Sequence, residues 1–268
     1  MKSEYEYVVY TAVFGAYDEV PSVNPQWNCD FYCFTDNRNF LSSGWKVILV
    51  ESLDEGTAQT NRRYKMLPHK FLPNHKASLY VDGNVEIVTD PSPLFKKYLR
   101  DAHIAIPKHQ DRHCAYEEAD LCIHEGRVNE QETIQQMDRY RQEGFPANYG
   151  LTENGIIFRR HHESAVVNLM EAWWQEYLSG GKRDQISLPY LLWKNNTFIS
   201  EVTEGPRISN SFFKIGLHNS AKKKPFFRRA AILINSRKRL SSFYFFLSLL
   251  VSFVLAAKKY CWSPIRKV

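Results

Sequence analysis

The segment that most constrains the fold is 77–90, which reads Ala-Ser-Leu-Tyr-Val-Asp-Gly-Asn-Val-Glu-Ile-Val-Thr-Asp. A short apolar run ends at Asp82, Gly83 follows, and a second β-branched run begins at Val85. A carboxylate therefore lies where a predicted strand stops, and open α/β sheets bind their ligands at such strand ends. The same pattern is also typical of a β-hairpin, because Asp-Gly between hydrophobic runs favours a tight turn.

Other short apolar runs with polar stops predict a layered α/β core. We predict strands at residues 7–13, 30–35, 45–50, 79–81, 85–88, 103–107 and 156–158. Helical spacing predicts helices over residues 58–72, 130–141 and 163–178, one opening after Asp90 and one from Asp184 that carries Pro189 in its first turns. The polar segment 108–120 is too rich in charged side chains to be core, and we expect it to bind substrate.

Composition excludes several classes of protein. At 268 residues and 44% hydrophobic content, the chain can bury a core and is not disordered. Its five cysteines are an odd number without tight paired spacing, which argues against a disulfide framework or a structural zinc site. The N-terminus has acidic residues where a signal peptide would be apolar, so we expect no signal peptide and a cytosolic body.

Charge divides the chain into two parts. Residues 219–268 contain twelve of the 35 Lys and Arg and no Asp or Glu, which leaves 23 basic against 29 acidic groups in residues 1–218. An apolar run at 243–257 would be about 22 Å long as a helix, against roughly 30 Å of bilayer hydrocarbon. We expect a membrane-associating tail, either interfacial or a short anchor, and no nucleic-acid partner.

The order of the motifs resembles that of the nucleotide-sugar glycosyltransferases with the GT-A fold. Residues 61–73 followed by Leu-Tyr-Val-Asp-Gly-Asn at 79–84 resemble family 8, the glycogenin and galactosyltransferase type, as does His-Asn-Ser-Ala-Lys-Lys-Lys-Pro-Phe at 218–226. The chain resembles more strongly a glycosyltransferase-like family that includes plant mucilage and pollen-tube proteins and bacterial members. The motifs of that second resemblance are Val-Phe-Gly-Ala-Tyr-Asp at 13–18, Tyr-Val-Asp-Gly-Asn at 80–84, His-Gln-Asp-Arg at 109–112, Tyr-Glu-Glu at 116–118 and Arg-Asp-Gln at 183–185.

This resemblance covers most of residues 5–226 and implies a fold and a domain division. The fold would be α/β, a GT-A-like (Rossmann-like) mixed sheet flanked by helices, followed by a basic, apolar, helical C-terminal tail. The catalytic domain would span residues 1–218, with motifs extending to about 226, and the tail would span 219–268.

The resemblance also implies a donor site with a divalent metal, Mn²⁺ or Mg²⁺. The predicted metal ligands are Asp82, Asn84 and His218, with Asn84 standing where family 8 has a second aspartate. A bridging cation would neutralise charge that develops on the diphosphate leaving group. The predicted donor-binding residues are Thr11, Phe14, Tyr17, Asp36, Arg63, Lys65 and Lys224, although the basic residues of 62–65 are also typical of a solvated helix face.

For catalysis, Asp184 and Gln185 occupy the position where family 8 has an acidic residue near the donor sugar. The alternative for Asp184 is a helix N-cap. The predicted acceptor-binding or substrate-binding residues are His109, Asp111, Arg112, Glu117, Glu118, Glu153 and Asn154.

Two functions of different class remain open at this point. The first is a glycosyltransferase that uses a nucleotide-sugar donor and a glycan or lipid-linked acceptor at the cytoplasmic face of the cell membrane. The second is a non-catalytic GT-A-like module that binds a glycan or scaffolds an assembly, which the amide at Asn84 would favour. A membrane-bound nucleic-acid-binding protein would depend on the charge of the tail alone.

Overall fold

The computed structural model of the chain describes residues 5–52 and 56–261, with side chains to 254. Residues 1–4, where we expect no signal peptide, and residues 262–268 of the predicted tail lie outside the described residues. The strands are β1 (Tyr7–Val13), β2 (Asp30–Thr35), β3 (Lys46–Leu49), β4 (Ala77–Val81), β5 (Val85–Ile87), β6 (Ile104–Ile106), β7 (Ile156–Arg159), β8 (Ser200–Glu201) and β9 (Phe213–Ile215). The helices are α1 (Thr57–Met66), α2 (Ser92–Tyr98), α3 (Ala115–His124), α4 (Glu130–Gln142), α5 (Ser164–Ser179), α6 (Asp184–Lys194), α7 (Asn219–Lys222), α8 (Phe226–Ser236) and α9 (Ser242–Cys261).

Seven of the described strands form one mixed sheet in the order β3-β2-β1-β4-β7-β6-β8. The pairs β3–β2, β2–β1, β1–β4 and β6–β8 are parallel, while β7 runs antiparallel to both β4 and β6. The polar segments that follow β1, β2, β4, β6 and β8, and the one that precedes β7, therefore meet at one edge of the sheet. The predicted α/β mixed sheet flanked by helices is confirmed.

Each face of the sheet carries its own core, because successive strand residues point to opposite faces. Val8, Tyr10 and Ala12 face a cluster that includes residues of α1, α3, α4, α5 and α6. Val9 and Val13 face the second cluster, which includes residues of α2. The sheet is therefore buried on both faces, as expected for largely parallel strands.

The alternative of a β-hairpin at Asp82-Gly83 is wrong, although its turn forms. Val85 N donates to Asp82 O at 2.9 Å, as in a β-turn. The two strands then separate, because β4 pairs with β1 and β7 while β5 pairs with β9. The second, two-stranded sheet brings residues near 215 close to the end of β4, which is what assembles the site described below.

Two further expectations need correction. The helix predicted over 58–72 ends at Met66, and Pro68 opens a short 3₁₀ turn, because a proline disfavours helical backbone in the residue before it. The exclusion of segment 108–120 from the core is wrong: α3 lies partly within it and buries Ala115, Glu118 and Ala119.

The tail is helical as predicted. Helix α9 contains the predicted apolar run, and α8 precedes it. Among the described residues, no helix combines the length and apolar character that crossing a membrane requires.

The buried aromatic residues of the sheet permit a matched test of this core. Phe158 in β7 is completely buried and packs edge-on against Phe95, whereas Phe198 is 72% exposed. We expect Phe158→Ala to lower the free energy of unfolding by about 3–5 kcal/mol, and Phe198→Ala to change it by less than about 0.5 kcal/mol. Urea denaturation followed by tryptophan fluorescence measures both, and equal effects would contradict the described burial.

Candidate functional site at the carboxyl edge of the sheet

Asp82 is at the centre of the edge where the strand ends meet. Its backbone N–H donates to Gly155 O at 2.9 Å, which ties the end of β4 to the residue before β7. A Cβ at Gly155 would lie 3.1 Å from Asp82 Oδ2, so glycine permits this close approach. The side chain of Asp82 is 35% exposed, and its Oδ1 accepts a hydrogen bond from Tyr80 at 2.9 Å. An accessible carboxylate is therefore held in one orientation.

A buried ion pair lies beside Asp82. Lys65 Nζ is 2.7 Å from Asp184 Oδ2 and 3.7 Å from Asp82 Oδ1, and the side chains of Lys65 and Asp184 are only 2% and 4% exposed. Arg62 Nε lies 3.7 Å from the same Asp184 oxygen. Burial alone would raise the pKa of Asp184, but Arg62, Lys65 and Arg183 hold it well below its usual value. Asp184 is therefore ionised and fully committed to neighbouring cations.

These contacts bear on two alternatives left open by the sequence: a helix N-cap at Asp184, and a solvated helix face at residues 62–65. The capping alternative for Asp184 is wrong, because Asp184 is the first residue of α6 and Arg183 occupies the cap position without a side-chain bond. Lys65 lies on the buried face of α1, whereas Arg62, which also faces Asp184, is partly exposed. The guanidinium of Arg63 instead lies over the ring of Phe71 at 5.8 Å. The predicted contacts of Arg63 and Lys65 with a donor diphosphate stay predictions.

The loop after β1 is shaped by Asp36. Both of its carboxylate oxygens accept from Gly15 N, at 3.1 and 3.2 Å, and Oδ2 also accepts from Ser52 Oγ at 2.6 Å. Gly15 has φ 61°, a conformation that glycine adopts readily. Of the predicted donor-binding residues nearby, Thr11 and Phe14 are buried. Tyr17 is exposed and contacts His218, with ring centroids 5.3 Å apart.

His218 is brought to this edge by Asp18, a residue to which the sequence analysis assigns no role. Asp18 is buried; its Oδ2 lies 2.7 Å from His218 Nδ1, and its Oδ1 accepts from Asn219 N at 3.0 Å. The hydrogen bond with Asp18 raises the pKa of His218, and the charge of Asp82 adds to this effect. A carboxylate bonded to one ring nitrogen orients the other, as in many metal-binding histidines.

Asn84 is buried and bonded to the segment that precedes His218. Its side-chain nitrogen donates to Gly216 O at 2.9 Å, and Gly216 N donates to Asn84 O at 2.7 Å. The side-chain nitrogen of Asn84, a predicted metal ligand, therefore donates a hydrogen bond within the protein.

Glu153 and Asn154 lie at the same edge, immediately before Gly155. Glu153 is largely buried and forms an ion pair with Arg207, a residue that the sequence analysis does not single out. Burial raises the pKa of Glu153, with Arg207 opposing it. Asn154 Oδ1 accepts from Thr152 Oγ1 at 2.7 Å. Glu153 is thus a carboxylate of raised proton affinity close to Asp82.

A second buried carboxylate, Glu118, binds two arginines. Arg112 Nε lies 2.5 Å from Glu118 Oε2, and Arg183 Nη2 lies 2.9 Å from Oε1. Burial alone would raise the pKa of Glu118, but Arg183 and Arg112 hold it below its usual value. Arg183 also bonds to Gln185, and Arg112 contacts His109. Through Arg183, Glu118 therefore connects α3 to the start of α6, which carries the predicted catalytic residues Asp184 and Gln185.

His109 and Asp111 show two different environments within one predicted substrate-binding stretch. Burial, reinforced by Arg112, lowers the pKa of His109 to about 4, so this imidazole is neutral at pH 7. Asp111 pairs with Lys238 at 2.9 Å and with Arg239 at 3.1 Å, both at the junction of α8 and α9. The structure thus attaches the tail to the 109–112 loop. Glu117 and Lys224 are exposed.

The predicted metal site is only partly assembled. Within residues 5–52 and 56–261, no group of three or more His, Cys, Asp or Glu side chains is arranged to hold a metal ion. Of the predicted ligands, Asp82 is partly accessible with Oδ1 bonded to Tyr80, His218 has Nδ1 bonded to Asp18, and Asn84 is buried with its side-chain nitrogen bonded to Gly216. Mg²⁺ is commonly held by one or two carboxylates together with substrate phosphates, which Asp82 fits, whereas an imidazole such as His218 suits Mn²⁺ better than Mg²⁺.

Comparison with known proteins establishes the family. Residues 1–204 match the TOD1/MUCI70 glycosyltransferase-like domain, and the chain belongs to that family. The predicted resemblance to the mucilage and pollen-tube group is confirmed, while the relation to family 8 stays a prediction.

Two individual proteins are similar to this chain. The probable hexosyltransferase MUCI70 of Arabidopsis thaliana is 29% identical over 210 residues, which are 67% of this chain and 36% of that protein. The chain thus spans about a third of the length of that relative. The apo crystal structure of mouse xyloside xylosyltransferase 1 aligns with 76% of this chain and 88% of its own at a TM-score of 0.45 and 12% identity.

Three residues of the site were missed or passed over by the sequence analysis: Asp18, Arg62 and Arg207. Asp18 closes the Val-Phe-Gly-Ala-Tyr-Asp motif, so its position in a family motif was an available signal. Arg62 stands three residues before Lys65, the spacing that places two side chains on neighbouring parts of a helix face. Arg207 lies in a weakly patterned segment, where no local signal identifies it.

Breaking the buried ion pair tests its role. We expect Lys65→Met to lower the free energy of unfolding at pH 7 by about 3–5 kcal/mol, because it leaves Asp184 buried with less compensation. Arg63→Met, on the same helix, serves as the control and should cost less than about 1 kcal/mol.

The pH dependence of that difference follows from the depressed pKa of Asp184. A carboxyl with a lowered folded-state pKa contributes stability above its unfolded pKa, near 3.9, and loses it as the pH falls toward the folded value. The gap between wild type and Lys65→Met should therefore shrink below about pH 4. Urea titrations at several pH values measure it, and a gap that is constant or widens on acidification would contradict the assignment.

Proposed function

We propose that this chain is a glycosyltransferase that transfers a sugar from a nucleotide-diphosphate donor to a glycan or lipid-linked acceptor at the cytoplasmic face of the cell membrane. The observation that carries the proposal is the accessible carboxylate of Asp82 at the carboxyl edge of the sheet, with Lys65 3.7 Å away and the Asp18-oriented imidazole of His218 near enough for the charge of Asp82 to raise its pKa. Membership of a glycosyltransferase-like family supports the same reaction class. The probable hexosyltransferase MUCI70 is a relative whose name agrees with it.

The donor diphosphate would bind at this edge. Asp82 and His218 would hold Mn²⁺ or Mg²⁺, and such an ion supplies charge neutralisation for the departing diphosphate. Arg62, 28% exposed, adds a permanent positive charge beside Asp82, and Tyr80 keeps the Asp82 carboxylate oriented. The nucleoside would contact the loop after β1, where Tyr17 is exposed and Asp36 fixes the backbone.

Proton transfer from the acceptor requires a carboxylate or imidazole that can accept a proton. Asp184 is poorly suited, because it is buried, strongly acidic and bonded to Lys65. Glu153 is also buried and paired with a cation, Arg207, but its pKa is raised by burial rather than lowered, and it stands at the same edge as Asp82, so it suits this role better. Asp184 would then act by fixing the position of Lys65.

Donor binding provides the test. With purified protein and Mn²⁺, calorimetry against a panel of UDP-, GDP- and ADP-sugars should detect binding of at least one donor. Asp82→Ala should weaken that binding at least tenfold, since ligand loss at such a site removes several kcal/mol of electrostatic stabilisation. Glu153→Gln should keep donor affinity within about threefold and reduce transfer at least a hundredfold.

Three outcomes would contradict the proposal. The first is no binding or turnover with any donor. The second is an Asp82→Ala variant that behaves as wild type. The third is metal-independent glycan binding without nucleotide binding, which would favour the non-catalytic module instead.

The tail supports the membrane part of the proposal. Phe226 and Phe227 of α8 are 67% and 84% exposed and are followed by the exposed Arg228 and Arg229. Helix α9 also exposes a series of large apolar side chains: Phe243, Phe246, Leu250 and Phe253. Adjacent apolar and basic surface is the combination that binds the interface of an anionic bilayer.

Sedimentation with liposomes tests this surface. The full chain should bind vesicles containing 30% phosphatidylserine, and less than a tenth as much should bind neutral vesicles, because each basic residue contributes about 1 kcal/mol near an anionic surface. Replacing Phe226 and Phe227 with serine should reduce binding at least tenfold, while Phe198→Ser on the body should not. Equal binding to neutral vesicles, or no effect of the tail substitutions, would contradict membrane association through the tail.

A further inference from the structure

The segment that carries His218 reaches the site through a chain of contacts. Strand β9 pairs antiparallel with β5, and the register places Ile215 opposite Val85. The pairing therefore ends where Asn84 and Gly216 face each other, one residue beyond each strand. From Gly216 the chain needs only two more residues to reach His218.

Asn84 and Gly216 form a reciprocal pair of hydrogen bonds. Gly216 N donates to Asn84 O at 2.7 Å, and Asn84 Nδ2 donates to Gly216 O at 2.9 Å. A Cβ at Gly216 would lie 3.1 Å from Asn84 O, so the two backbones approach closely. Asn84 is 6% exposed, whereas Gly216 is exposed, so a buried amide side chain holds a backbone segment that lies at the surface.

A second anchor follows at once. Asp18 accepts from Asn219 N and pairs with His218 Nδ1, so both sides of the 216–219 segment are held. Asp18 itself packs beside Gly83, where a Cβ would lie 3.4 Å from Asp18 Cβ. Gly83 therefore packs beside Asp18, which orients His218. Asn84 bonds to Gly216, which lies two residues before His218.

We propose that Asn84 is a positioning residue, which clamps Gly216 and thereby keeps the His218 imidazole beside Asp82, and that it is not a metal ligand. This inference deepens the proposed function, since the role of His218 depends on it. It also accounts for the amide in place of a second carboxylate. A carboxylate at 84 has no N–H to offer Gly216 O and would face that carbonyl with like partial charge.

The substitution Asn84→Asp separates the two roles. A ligand role predicts that Mn²⁺ binding is retained or strengthened, because a carboxylate is a better ligand for a hard cation than an amide. A positioning role predicts at least tenfold weaker Mn²⁺ binding in the presence of UDP or GDP, the usual range for loss of a group that orients a ligand. Asn39→Asp, at an exposed position, is the control for the added charge.

Hydrogen exchange gives a readout that needs neither metal nor activity. In Asn84→Asp and Asn84→Ala, the amides of Gly216 and Asn219 should exchange at least tenfold faster than in wild type, while amides of β1 and β4 stay unchanged. If Asn84→Asp does not fold, Asn84→Ala removes the same donor without adding charge and is measured alone.

The outcomes separate this inference from the proposed function. Unchanged exchange at Gly216 and Asn219 would overturn the clamp, as would Mn²⁺ binding by Asn84→Asp equal to or tighter than that of wild type. Faster exchange in the variants, with a wild type that binds neither Mn²⁺ nor any nucleotide, would instead uphold the clamp and reject the proposed transferase.

Discussion

The interaction on which the site depends is the buried ion pair between Lys65 and Asp184. Their side chains are almost completely removed from water and lie 2.7 Å apart, so either charge alone would be strongly unfavourable there. The pair joins α1, which follows β3, to the start of α6, more than a hundred residues later. Because Lys65 is also 3.7 Å from Asp82, the same contact sets the positive potential beneath the exposed carboxylate. A buried pair of this kind contributes little net stability, although the loss of either partner alone is strongly destabilising.

Around that pair, the site combines close approaches at glycine residues with buried charges that have a partner of opposite charge. Gly155 and Gly216 let backbone or carboxylate atoms come within contact distance, where any larger side chain would intrude. Three buried acidic groups have a Lys or Arg neighbour, and the fourth, Asp18, has His218: Asp184 pairs with Lys65, Glu118 with Arg183, and Glu153 with Arg207. Asp82 differs, because it combines such neighbours with access to solvent. It is therefore the carboxylate with capacity left for a ligand.

Much of the fold was predictable because its signals are local. Strands β1 and β2 have the predicted limits, and α5 and α6 begin within one residue of expectation, since alternation and helical spacing depend only on nearby residues. The missed helix α3 shows the limit of this reasoning. Its polar sequence argues against burial, but Arg112 and Arg183 neutralise Glu118 from other parts of the chain. The partners of a buried charge cannot be inferred from the segment that carries it.

The sequence by itself determined the class of fold, the family and the strand end at which Asp82 stands. Those properties follow from local patterns and from ordered motifs. Only the tertiary structure decided which neighbours Asp82 has: that Lys65 is buried against Asp184, that Asp18 orients His218, and that Asn84 uses its amide on Gly216. Each of these contacts joins residues more than a hundred positions apart, and a β-hairpin was the alternative that the sequence left open for the Asp82-Gly83 turn, which makes two of them possible. The turn forms, but its second strand pairs with β9, and that pairing is the physical reason that a distant histidine reaches this edge of the sheet.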